Sequence, residues 1–372
     1  MKWVFWAAAL VIAYTYLGYP LWLCLRARWR PRRVQRAPQL PFVSVVLVVR
    51  NESETIAAKL RNLLELNYPA DRSEIVAVSD GSVDGTDELL REKAVNSRLR
   101  IVLSPTVRGK AACLNSAMHV AQGEILLFTD ARQKIEPDAV RFLVENFADA
   151  SVGCVSGELM LGDAGGGERL DGVGLYWRIE RAIREMESRA GSVVGATGAL
   201  YAVRRVLLAP LPPDTILDDL YIPMTVARRG SRVLLDSRAR AWDVVQHGGD
   251  EFRRKVRTLS GNYQLLQLAP WLLSKANPIR FEFISHKLLR LLVPFALAAA
   301  LVSSAVMPGP VYRIAFIIQI VFYALSLLAT MRLRRGPLAR VADAALTFVL
   351  LNAAALVAFA NFVTGRKVAW GR

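Results

Sequence analysis

The sequence contains few cysteines, which excludes two common kinds of stabilising site. Only Cys24, Cys113 and Cys154 occur in 372 residues. An odd number argues against a disulfide framework, and no Cys-x-x-Cys spacing indicates a zinc site. Cys24 lies in an apolar run, and the other two lie in a stretch of α/β character. We therefore expect the α/β part to occupy a reducing, cytosolic setting.

Acidic residues are scarce relative to basic ones. The chain has 32 Asp and Glu against 48 Lys and Arg, which gives a formal net charge of +16. Such an excess is typical of nucleic-acid-binding proteins and of membrane proteins that follow the positive-inside rule. No nucleic-acid-binding motif accompanies the charge, and the basic residues cluster beside apolar runs, which favours a membrane protein. The clusters are Arg26, Arg28, Arg30, Arg32, Arg33 and Arg36, and Arg332, Arg334, Arg335 and Arg340.

Four apolar runs are long enough to span a bilayer, in keeping with a hydrophobic content of 53%. The first has one basic residue before it, bulky aromatic residues within it and no clear small-residue cleavage site. A retained anchor is therefore favoured over a signal peptide. The second and third runs are joined by Pro308-Gly309-Pro310, which predicts a tight hairpin. The runs are Trp3–Leu25, Leu288–Met307, Val311–Met331 and Ala344–Val363.

The basic clusters also predict an orientation. Positive charge after the first run places that end in the cytosol, so residues 31–284 are expected there, with the Arg332–Arg340 loop. The last run departs from the rule because it leaves Arg366, Lys367 and Arg372 outside. The predicted organisation is an anchor over 1–30, a cytosolic domain over 40–262, interfacial helices over 263–284 and about three membrane helices over 285–372.

The segment 263–284 mixes apolar and aromatic residues with Lys275 and Arg280 and is interrupted at Pro270 and Pro278. This pattern predicts short amphipathic helices lying in the membrane surface. A plain amphipathic helix packed on the cytosolic domain explains the pattern almost equally well.

Short apolar runs rich in β-branched residues alternate with helical patterns in the cytosolic domain. Val43–Val49 is a continuous run of this kind, as expected of a buried parallel strand, and the apolar spacing over 56–64 predicts a helix. The alternation predicts a doubly wound, mainly parallel α/β sheet, in which ligands bind outside the carboxyl ends of the strands. The other predicted strands are Glu74–Ser79, Arg100–Leu103, Glu124–Thr129 and Val152–Ser156.

Acidic residues stand at two predicted strand ends and in one later pair. Asp80 ends the second strand, Asp130 ends the fourth, and Asp218 and Asp219 are adjacent. Parallel strands end at one sheet edge, so the first two carboxylates are expected there together. Taken singly, Asp80-Gly81-Ser82 is a common turn, and each of the other acids fits a helix N-cap. Their order and spacing favour a shared site.

These residues suit group transfer from a nucleotide-activated substrate. Asp130 is placed to hold Mg²⁺ on a diphosphate, because Mg²⁺ binds through one or two carboxylates plus substrate phosphates. Lys110, which follows Gly109 at a helix start, either adds positive charge beside the phosphates or is a solvated helix residue. Asp219, paired with Asp218, is the candidate general base. The candidate nucleotide contacts at the strand ends are Asn51, Glu52 and Asp80.

Several segments together carry a resemblance to one enzyme family. They are Val43–Glu52, Ile75–Thr86, Gly109–Gly123, Glu124–Asp130, Pro137–Gly157, Gly195–Arg204 and Leu217–Gly230. In these segments the chain resembles membrane-bound family 2 glycosyltransferases with a GT-A fold, the group that includes cellulose, chitin and hyaluronan synthases.

The resemblance implies a reaction and a set of residue roles. It implies inverting transfer from a nucleoside-diphosphate sugar, most often a UDP-sugar, usually with Mg²⁺ or Mn²⁺. Asp80 then contacts the nucleotide, Asp130 begins the Asp-x-Asp metal motif, and Asp219 is the base of the Glu-Asp motif. The segment Gly195-Ala196-Thr197-Gly198 resembles the one that lines the acceptor end, where small residues let a sugar approach the backbone.

Two departures from the family pattern concern the chemistry. The Asp-x-Asp motif reads Asp130-Ala131-Arg132, which leaves metal use open; Arg132 either contacts phosphate or is a surface residue. The Gln-x-x-Arg-Trp motif of the polymerising synthases is replaced by Arg254-Lys255-Val256-Arg257-Thr258, in which only the arginine, Arg257, is kept. Arg254, Lys255 and Arg257 suit either the leaving diphosphate or the membrane surface. This loss weakens the case for a processive synthase.

The sequence thus predicts a multi-pass glycosyltransferase of the inner (plasma) membrane that adds one or a few sugars to a lipid-linked or surface-polysaccharide acceptor. A processive polysaccharide synthase, assisted by partner membrane proteins, is the alternative within this class. A nucleotide-binding membrane scaffold without catalysis is the alternative outside it, and Arg132 is its best argument. A transporter is disfavoured because charge in the later runs lies near their ends and no internal repeat occurs.

Overall fold

The structure, a computed structural model, describes residues 1–95, 98–163, 167–168, 174–243, 249–330 and 336–366. Within these residues, four helices are long and apolar enough to cross a membrane, in agreement with the four predicted runs. They are Lys2–Trp29, Arg280–Val306, Pro310–Thr330 and Leu338–Val363. The second and the fourth begin earlier than predicted, and the second includes the end of the predicted interfacial segment, residues 280–284. The basic residues predicted in the loop at 331–335, together with Lys367 and Arg372, lie outside the described residues.

Two of these membrane-length helices contain a π-helical turn. The first consists of α1 and α2 around the turn Tyr14–Gly18, and the second of α10 and α11 around the turn Ile284–Leu288. Such turns are rare, and those that do occur are often found at functional sites. The helices are α1 (Lys2–Ala13), α2 (Tyr19–Trp29), α10 (Arg280–Phe283), α11 (Leu289–Val306), α12 (Pro310–Thr330) and α13 (Pro337–Val363).

Between the first and second of these helices lies an α/β domain built on one mixed sheet. Within the described residues the strand order is β3-β2-β1-β4-β8-β6-β9-β5, with β7 paired to β6. Strands β1 to β4 are parallel, as predicted, whereas β8 runs antiparallel to both β4 and β6. The strands are β1 (Val43–Val49), β2 (Ser73–Asp80), β3 (Leu99–Ser104), β4 (Ile125–Thr129), β5 (Lys134–Ile135), β6 (Val152–Asp163), β7 (Gly167–Glu168), β8 (Tyr201–Arg204) and β9 (Arg232–Asp243).

Helices cover both faces of this sheet. Alternate residues of β1 enter two separate cores, with Val45 and Leu47 in one and Val46 and Val48 in the other. Both faces of a parallel strand are therefore buried, which explains its unbroken apolar sequence. The domain helices are α3 (Ile56–Leu64), α4 (Thr86–Ala94), α5 (Lys110–Val120), α6 (Ala139–Glu145), α7 (Gly174–Ala190), α8 (Asp218–Arg228) and α9 (Gly249–Leu268).

The strand register aligns the carboxyl ends on which the predicted site depends. Val49 of β1 lies opposite Ser79 of β2, and Leu47 of β1 lies opposite Thr129 of β4. The residues that follow these strands consequently emerge at one edge of the sheet.

Helix α9 connects the domain to the membrane helices and passes the predicted boundary at 262–263 without a break. On one side, Leu265 is buried against Leu217 and Met224 of the domain. On the other, the ring of Tyr263 stacks on Phe362 of α13 at 5.4 Å between centroids. The start of the predicted interfacial segment thus packs against the domain, as in the alternative of a packed helix.

Gly261 allows α9 to lie against the loop that precedes α8. A Cβ atom on Gly261 would be 2.5 Å from Cγ of Leu217, so Gly261→Ala forces the two apart. On an open helix the same change stabilises by about 1 kcal/mol, whereas overpacking costs about 1–3 kcal/mol. We expect a lower midpoint of thermal unfolding for the detergent-solubilised variant.

Gly191→Ala is the matched control, because the nearest atom to its added Cβ, Arg32 Cδ, is 4.0 Å away. This control should unfold at the midpoint of the unmodified protein or above it. A Gly261→Ala variant as stable as the control would contradict the close approach of α9 to Leu217.

Candidate active site

A buried lysine lies between two carboxylates at the predicted sheet edge. Lys110 Nζ is 3.0 Å from Asp130 Oδ1 and 3.1 Å from Asp218 Oδ1, and its side chain is only 16% exposed. Burial opposes the charged form of Lys110, but the charges of Asp130, Asp218 and Asp219 outweigh it and raise the pKa of Lys110. Residues from α5, from α8 and from the end of β4 therefore form one charged cluster, although they are far apart in sequence.

Asp219 lies beside this cluster with its carboxylate held by the backbone. Gly198 N–H donates to Asp219 Oδ2 at 3.2 Å. A Cβ atom on Gly198 would be 3.3 Å from Asp219 Oδ2 and 3.4 Å from Asp130 Oδ2. The two carboxylates thus approach Gly198 from two elements, and a glycine keeps the space between them open.

The two members of the acidic pair have different surroundings. Asp218 is 4% exposed and is engaged by Lys110 and by the hydroxyl of Tyr201, which donates to Asp218 Oδ2 at 3.4 Å. Asp219 is only half-buried. Burial and the charge of Asp218 raise the pKa of Asp219 from 3.8 to about 6, against the opposing effect of Lys110. Asp219 therefore has the less enclosed carboxylate of the pair.

The predicted acceptor segment, 195–198, is hydrogen-bonded to Asp219. Ala196 N–H donates to the backbone carbonyl of Asp219 at 2.7 Å, and Thr197 N–H donates to Ser156 Oγ at 3.1 Å. Gly195 has a left-handed φ of +86°, and a Cβ there would be 2.9 Å from Leu220 Cδ1. A glycine is therefore required at this position both for its φ angle and for space.

Asp80 is fully buried at the end of β2, and its carboxylate accepts hydrogen bonds from the protein backbone. Its two oxygens accept the backbone N–H groups of Arg108 at 2.6 Å and Gly109 at 3.0 Å. Cys113 Sγ lies 3.3 Å from Asp80 Oδ1. Asp80 thereby fixes the turn that delivers Lys110 to the cluster.

Asn51 and Glu52 link the loops after β1 and β2. Asn51 has a left-handed φ of +53°, its N–H donates to Ser82 Oγ at 3.1 Å and its side-chain oxygen accepts Val83 N–H at 3.0 Å. Glu52 N–H donates to Thr86 Oγ1 at 2.9 Å. The structure thus brings these residues to the same edge as Asp80.

Lys59 supports the loop after β4 and was not among the predicted site residues. It is 3% exposed, and its Nζ donates to Thr129 Oγ1 at 2.9 Å and to the carbonyl of Gln133 at 2.7 Å. Burial lowers the pKa of Lys59 from 10.5 to about 7, although the charge of Asp130 opposes this shift. The available signal was its spacing, since Lys59 falls three residues after Ile56 on the apolar stripe of α3.

The predicted arginines are not joined to the acidic cluster by any contact within the described residues. Arg132 is exposed. Arg254 on α9 lies 4.0 Å from Asp243 Oδ2 and 3.5 Å from Glu251 Oε1, and Arg257 follows one turn later, half-buried. Gln133 donates to the same Asp243 carboxylate at 2.9 Å, which connects the loop after β4 to α9.

Asp130 is the residue best suited to hold a divalent metal. Among the described residues, no group of three or more His, Cys, Asp or Glu side chains could enclose one. The Asp130 side chain is 40% exposed, and Lys110 contacts only its Oδ1. A single exposed carboxylate fits a magnesium-type site in which substrate phosphates and water supply the other ligands.

Residues 44–210 match the family model described as Glycosyl transferase family 2. Poly-beta-1,6-N-acetyl-D-glucosamine synthase of Staphylococcus aureus (strain COL) is 27% identical over 238 residues, 61% of this chain and 56% of the synthase. The Staphylococcus epidermidis protein of the same name is 27% identical over 243 residues, 63% of this chain and 57% of its own length. The chain therefore aligns with just over half of these relatives.

A solved structure is similar over almost the whole chain. It is the mannosyltransferase PcManGT from Pyrobaculum calidifontis in complex with GDP-Man and Mn²⁺. The TM-score is 0.75 at 25% identity, and the alignment covers 98% of this chain and 100% of the other. This likeness confirms the predicted GT-A fold.

Removing the lysine at the centre of the cluster should destabilise the protein. Lys110→Met leaves the Asp130 and Asp218 carboxylates without their shared cation, which we expect to cost about 1.5–3 kcal/mol, the range for hydrogen bonds to charged groups. The midpoint of thermal unfolding should fall. Lys275→Met is the control, because Lys275 is exposed and surface substitutions of this kind change stability little. Equal losses in both variants would contradict a structural role for the buried cluster.

Proposed function

Because residues 44–210 form a family 2 glycosyltransferase domain, we propose that this glycosyltransferase moves a sugar from a nucleoside-diphosphate sugar to a lipid-linked or surface-polysaccharide acceptor at a membrane. The transfer is inverting, and Asp219 is the general base. The observation that supports this proposal best is the approach of Asp130 and Asp219 to Gly198, with Lys110 between Asp130 and Asp218.

In the proposed reaction an acceptor hydroxyl lies against Asp219 and attacks the anomeric carbon of the donor. Asp219 takes the hydroxyl proton as the new glycosidic bond forms and the bond to the nucleoside diphosphate breaks. Its raised pKa, about 6, makes it a better proton acceptor than an ordinary aspartate while leaving it ionised at neutral pH. The Gly198 N–H fixes the direction of the carboxylate.

The leaving diphosphate carries negative charge that the site must stabilise. Asp130 would hold Mg²⁺ or Mn²⁺, which supplies a Lewis acid for the diphosphate when bound. The positive charge of Lys110 limits the repulsion between Asp130 and the phosphates. Arg132, exposed two residues after Asp130, contacts the diphosphate in this proposal. Asp80 acts through the turn at 108–110, and Asn51 and Glu52 border the nucleotide.

Two donor classes have specific support. The similar solved structure binds GDP-Man, and the similar synthases are named for a polymer of N-acetyl-D-glucosamine. The family resemblance most often implies a UDP-sugar. A UDP-sugar is therefore the first donor to test, and GDP-Man is the second.

The α/β domain is proposed to face the cytosol below the inner (plasma) membrane. The arginines that follow α1 and α2 support this orientation through the positive-inside rule. A processive synthase with partner membrane proteins remains the second candidate, since the relatives are named as synthases of a polymer. The changed motif at 254–258 favours one or a few transfers.

Nucleoside-diphosphate release by the detergent-purified protein tests the proposal. A panel of UDP-, GDP- and dTDP-sugars is supplied with Mg²⁺, with Mn²⁺ or with EDTA. We expect release from one donor, dependent on metal, and at least about a hundredfold loss in Asp219→Asn, in line with the usual contribution of a general base. Release that persists in EDTA would instead indicate that Arg132 and Lys110, and not a metal ion, stabilise the charge of the leaving diphosphate.

Asp214→Asn is the matched control for that experiment. Asp214 is an exposed aspartate in the loop before the acidic pair, with a φ of +59° that asparagine tolerates. It should keep full turnover. Donor binding without turnover in every condition, unchanged by Asp219→Asn, would favour a nucleotide-binding scaffold over an enzyme.

The pH dependence of transfer should report the ionisation of Asp219. A general base must be deprotonated, so kcat/KM should fall as the pH decreases through about 6, the raised pKa of this group. With an ordinary aspartate as the base, the fall in kcat/KM would occur near pH 4. A rate that stays constant from pH 7 to pH 5 would contradict the assignment of Asp219 as base.

A further inference from the structure

Helix α7 carries a charged and aromatic face that the proposed reaction leaves unused. Tyr176, Glu180, Arg184 and Glu187 recur every three or four residues, which places them on one side of the helix. Trp177 is adjacent to Tyr176, with ring centroids 6.3 Å apart. The contacts of this face extend from the acceptor segment to the membrane helix α11.

One end of this face reaches the acceptor segment. Arg184 donates to Ser156 Oγ at 2.9 Å, and the same oxygen accepts Thr197 N–H at 3.1 Å. Gly198, the next residue, donates to Asp219. A cation on α7 therefore lies two hydrogen bonds from the segment that borders the candidate base.

The other end of the face holds a lysine and a polar group without an acceptor. Lys255 Nζ of α9 lies over the rings of Tyr176 at 5.2 Å and Trp177 at 5.4 Å. Within the described part of the chain, Trp177 Nε1 is buried and has no hydrogen-bond partner. A buried N–H donor without an acceptor is uncommon and indicates an absent ligand or water.

The carboxylates near this face are already shared among several partners. Glu180 lies 2.6 Å from Arg290, 3.1 Å from His286 and 4.0 Å from Lys287. Glu187 accepts from the Tyr19 hydroxyl at 2.6 Å and from Val194 N–H at 3.1 Å, and it contacts His286 at 2.7 Å.

A further carboxylate near Lys255 is also shared. Glu251 lies 3.9 Å from Lys255 Nζ and 3.5 Å from Arg254. Burial lowers the pKa of Lys255, and the charges of Arg254 and Lys287 lower it further, which places these cations near one another. Around Lys255 and Lys287, each neighbouring carboxylate thus serves more than one cation: Glu251 serves Lys255 and Arg254, and Glu180 serves Lys287 and Arg290.

We infer that Lys255, Lys287 and Arg184, together with the indole N–H of Trp177, bind a phosphate group of the acceptor. The acceptor is then a saccharide joined to a lipid through phosphate, with a sugar hydroxyl directed to Asp219. This inference rests on the proposed function and selects one of its two acceptor classes. A neutral glycan would leave the positive charge unbalanced and the Trp177 donor unsatisfied.

The position of the cluster supports a lipid rather than a soluble phosphate. Lys287 lies in the π-helical turn immediately before α11, and this turn belongs to a helix that is long and apolar enough to cross a membrane. Lys255 lies on α9, whose Tyr263 packs on α13. A phosphate bound between them would lie at the membrane end of the domain, where a lipid chain can continue along the helices.

Direct binding to the purified full-length protein tests the site independently of catalysis. The probes are a long-chain polyprenyl phosphate, the matching polyprenol and inorganic phosphate, each titrated in the same detergent. We expect polyprenyl phosphate to bind about tenfold or more tightly than polyprenol, the effect of one charged hydrogen bond. Lys255→Gln and Lys287→Gln should each remove most of this difference.

Two further variants separate binding from folding. Trp177→Phe keeps an aromatic ring beneath Lys255 and removes only the N–H, so it should weaken polyprenyl phosphate binding about fivefold, the loss of one hydrogen bond. Lys275→Gln removes an exposed lysine from the segment that follows α9 and should change nothing. Nucleotide-sugar binding should be retained in all variants, which shows that they are folded.

The outcomes distinguish this inference from the proposed function. Equal affinity for polyprenyl phosphate and polyprenol, in a protein that releases nucleoside diphosphate, would overturn the inference and leave the transferase proposal intact. Selective binding of polyprenyl phosphate without turnover of any donor would support the site and count against the reaction. If inorganic phosphate binds as tightly as polyprenyl phosphate, the assignment of a lipid-linked acceptor is overturned.

Discussion

The buried ion cluster of Lys110, Asp130 and Asp218 is the interaction on which the candidate site depends. A lysine that is only 16% exposed requires nearby negative charge, because an unpaired buried ammonium is costly. Satisfying that requirement joins the start of α5 to the end of β4 and to the first turn of α8. Asp80 orients the turn before Lys110 by accepting two backbone N–H groups. The open carboxylate of Asp219 is held beside this cluster as a consequence.

The same domain is tightly connected to its membrane helices. Gly261 lets α9 approach Leu217, and Gln264 on the same helix accepts Ile216 N–H at 2.9 Å and donates to the carbonyl of Asp214 at 2.8 Å. The loop that leads to the acidic pair is therefore held by a helix that also packs on α13. On α7, Glu180 and Glu187 bind groups from the first two membrane-length helices. The position of the candidate base is thus coupled to the packing of the membrane region.

The ends of the strands could be predicted from the sequence because they depend on a local property, the length of each continuous apolar run. Buried parallel strands read as continuous apolar runs, and Asp80 and Asp130 follow such runs directly. The surroundings of each acid could not be predicted. Asp218 and Asp219 are adjacent in sequence, yet one is buried against Lys110 and Tyr201 while the other remains half-buried. Lys59 was not predicted as a site residue, because a lysine on an apolar helix stripe is normally expected to reach solvent. In the structure its ammonium group instead donates hydrogen bonds to Thr129 and Gln133.

The sequence by itself determined the four membrane-length apolar segments, the α/β order of the domain and the sheet edge at which the acids gather. These features follow from hydrophobic periodicity and strand direction, which are written in neighbouring residues. Only the tertiary structure decided which charges meet. Lys110 had two open interpretations, and its position between two carboxylates became evident once three distant elements were packed. The same holds for the face of α7, since its partners come from α9 and the turn before α11, and long-range contacts of this kind leave no periodic signal.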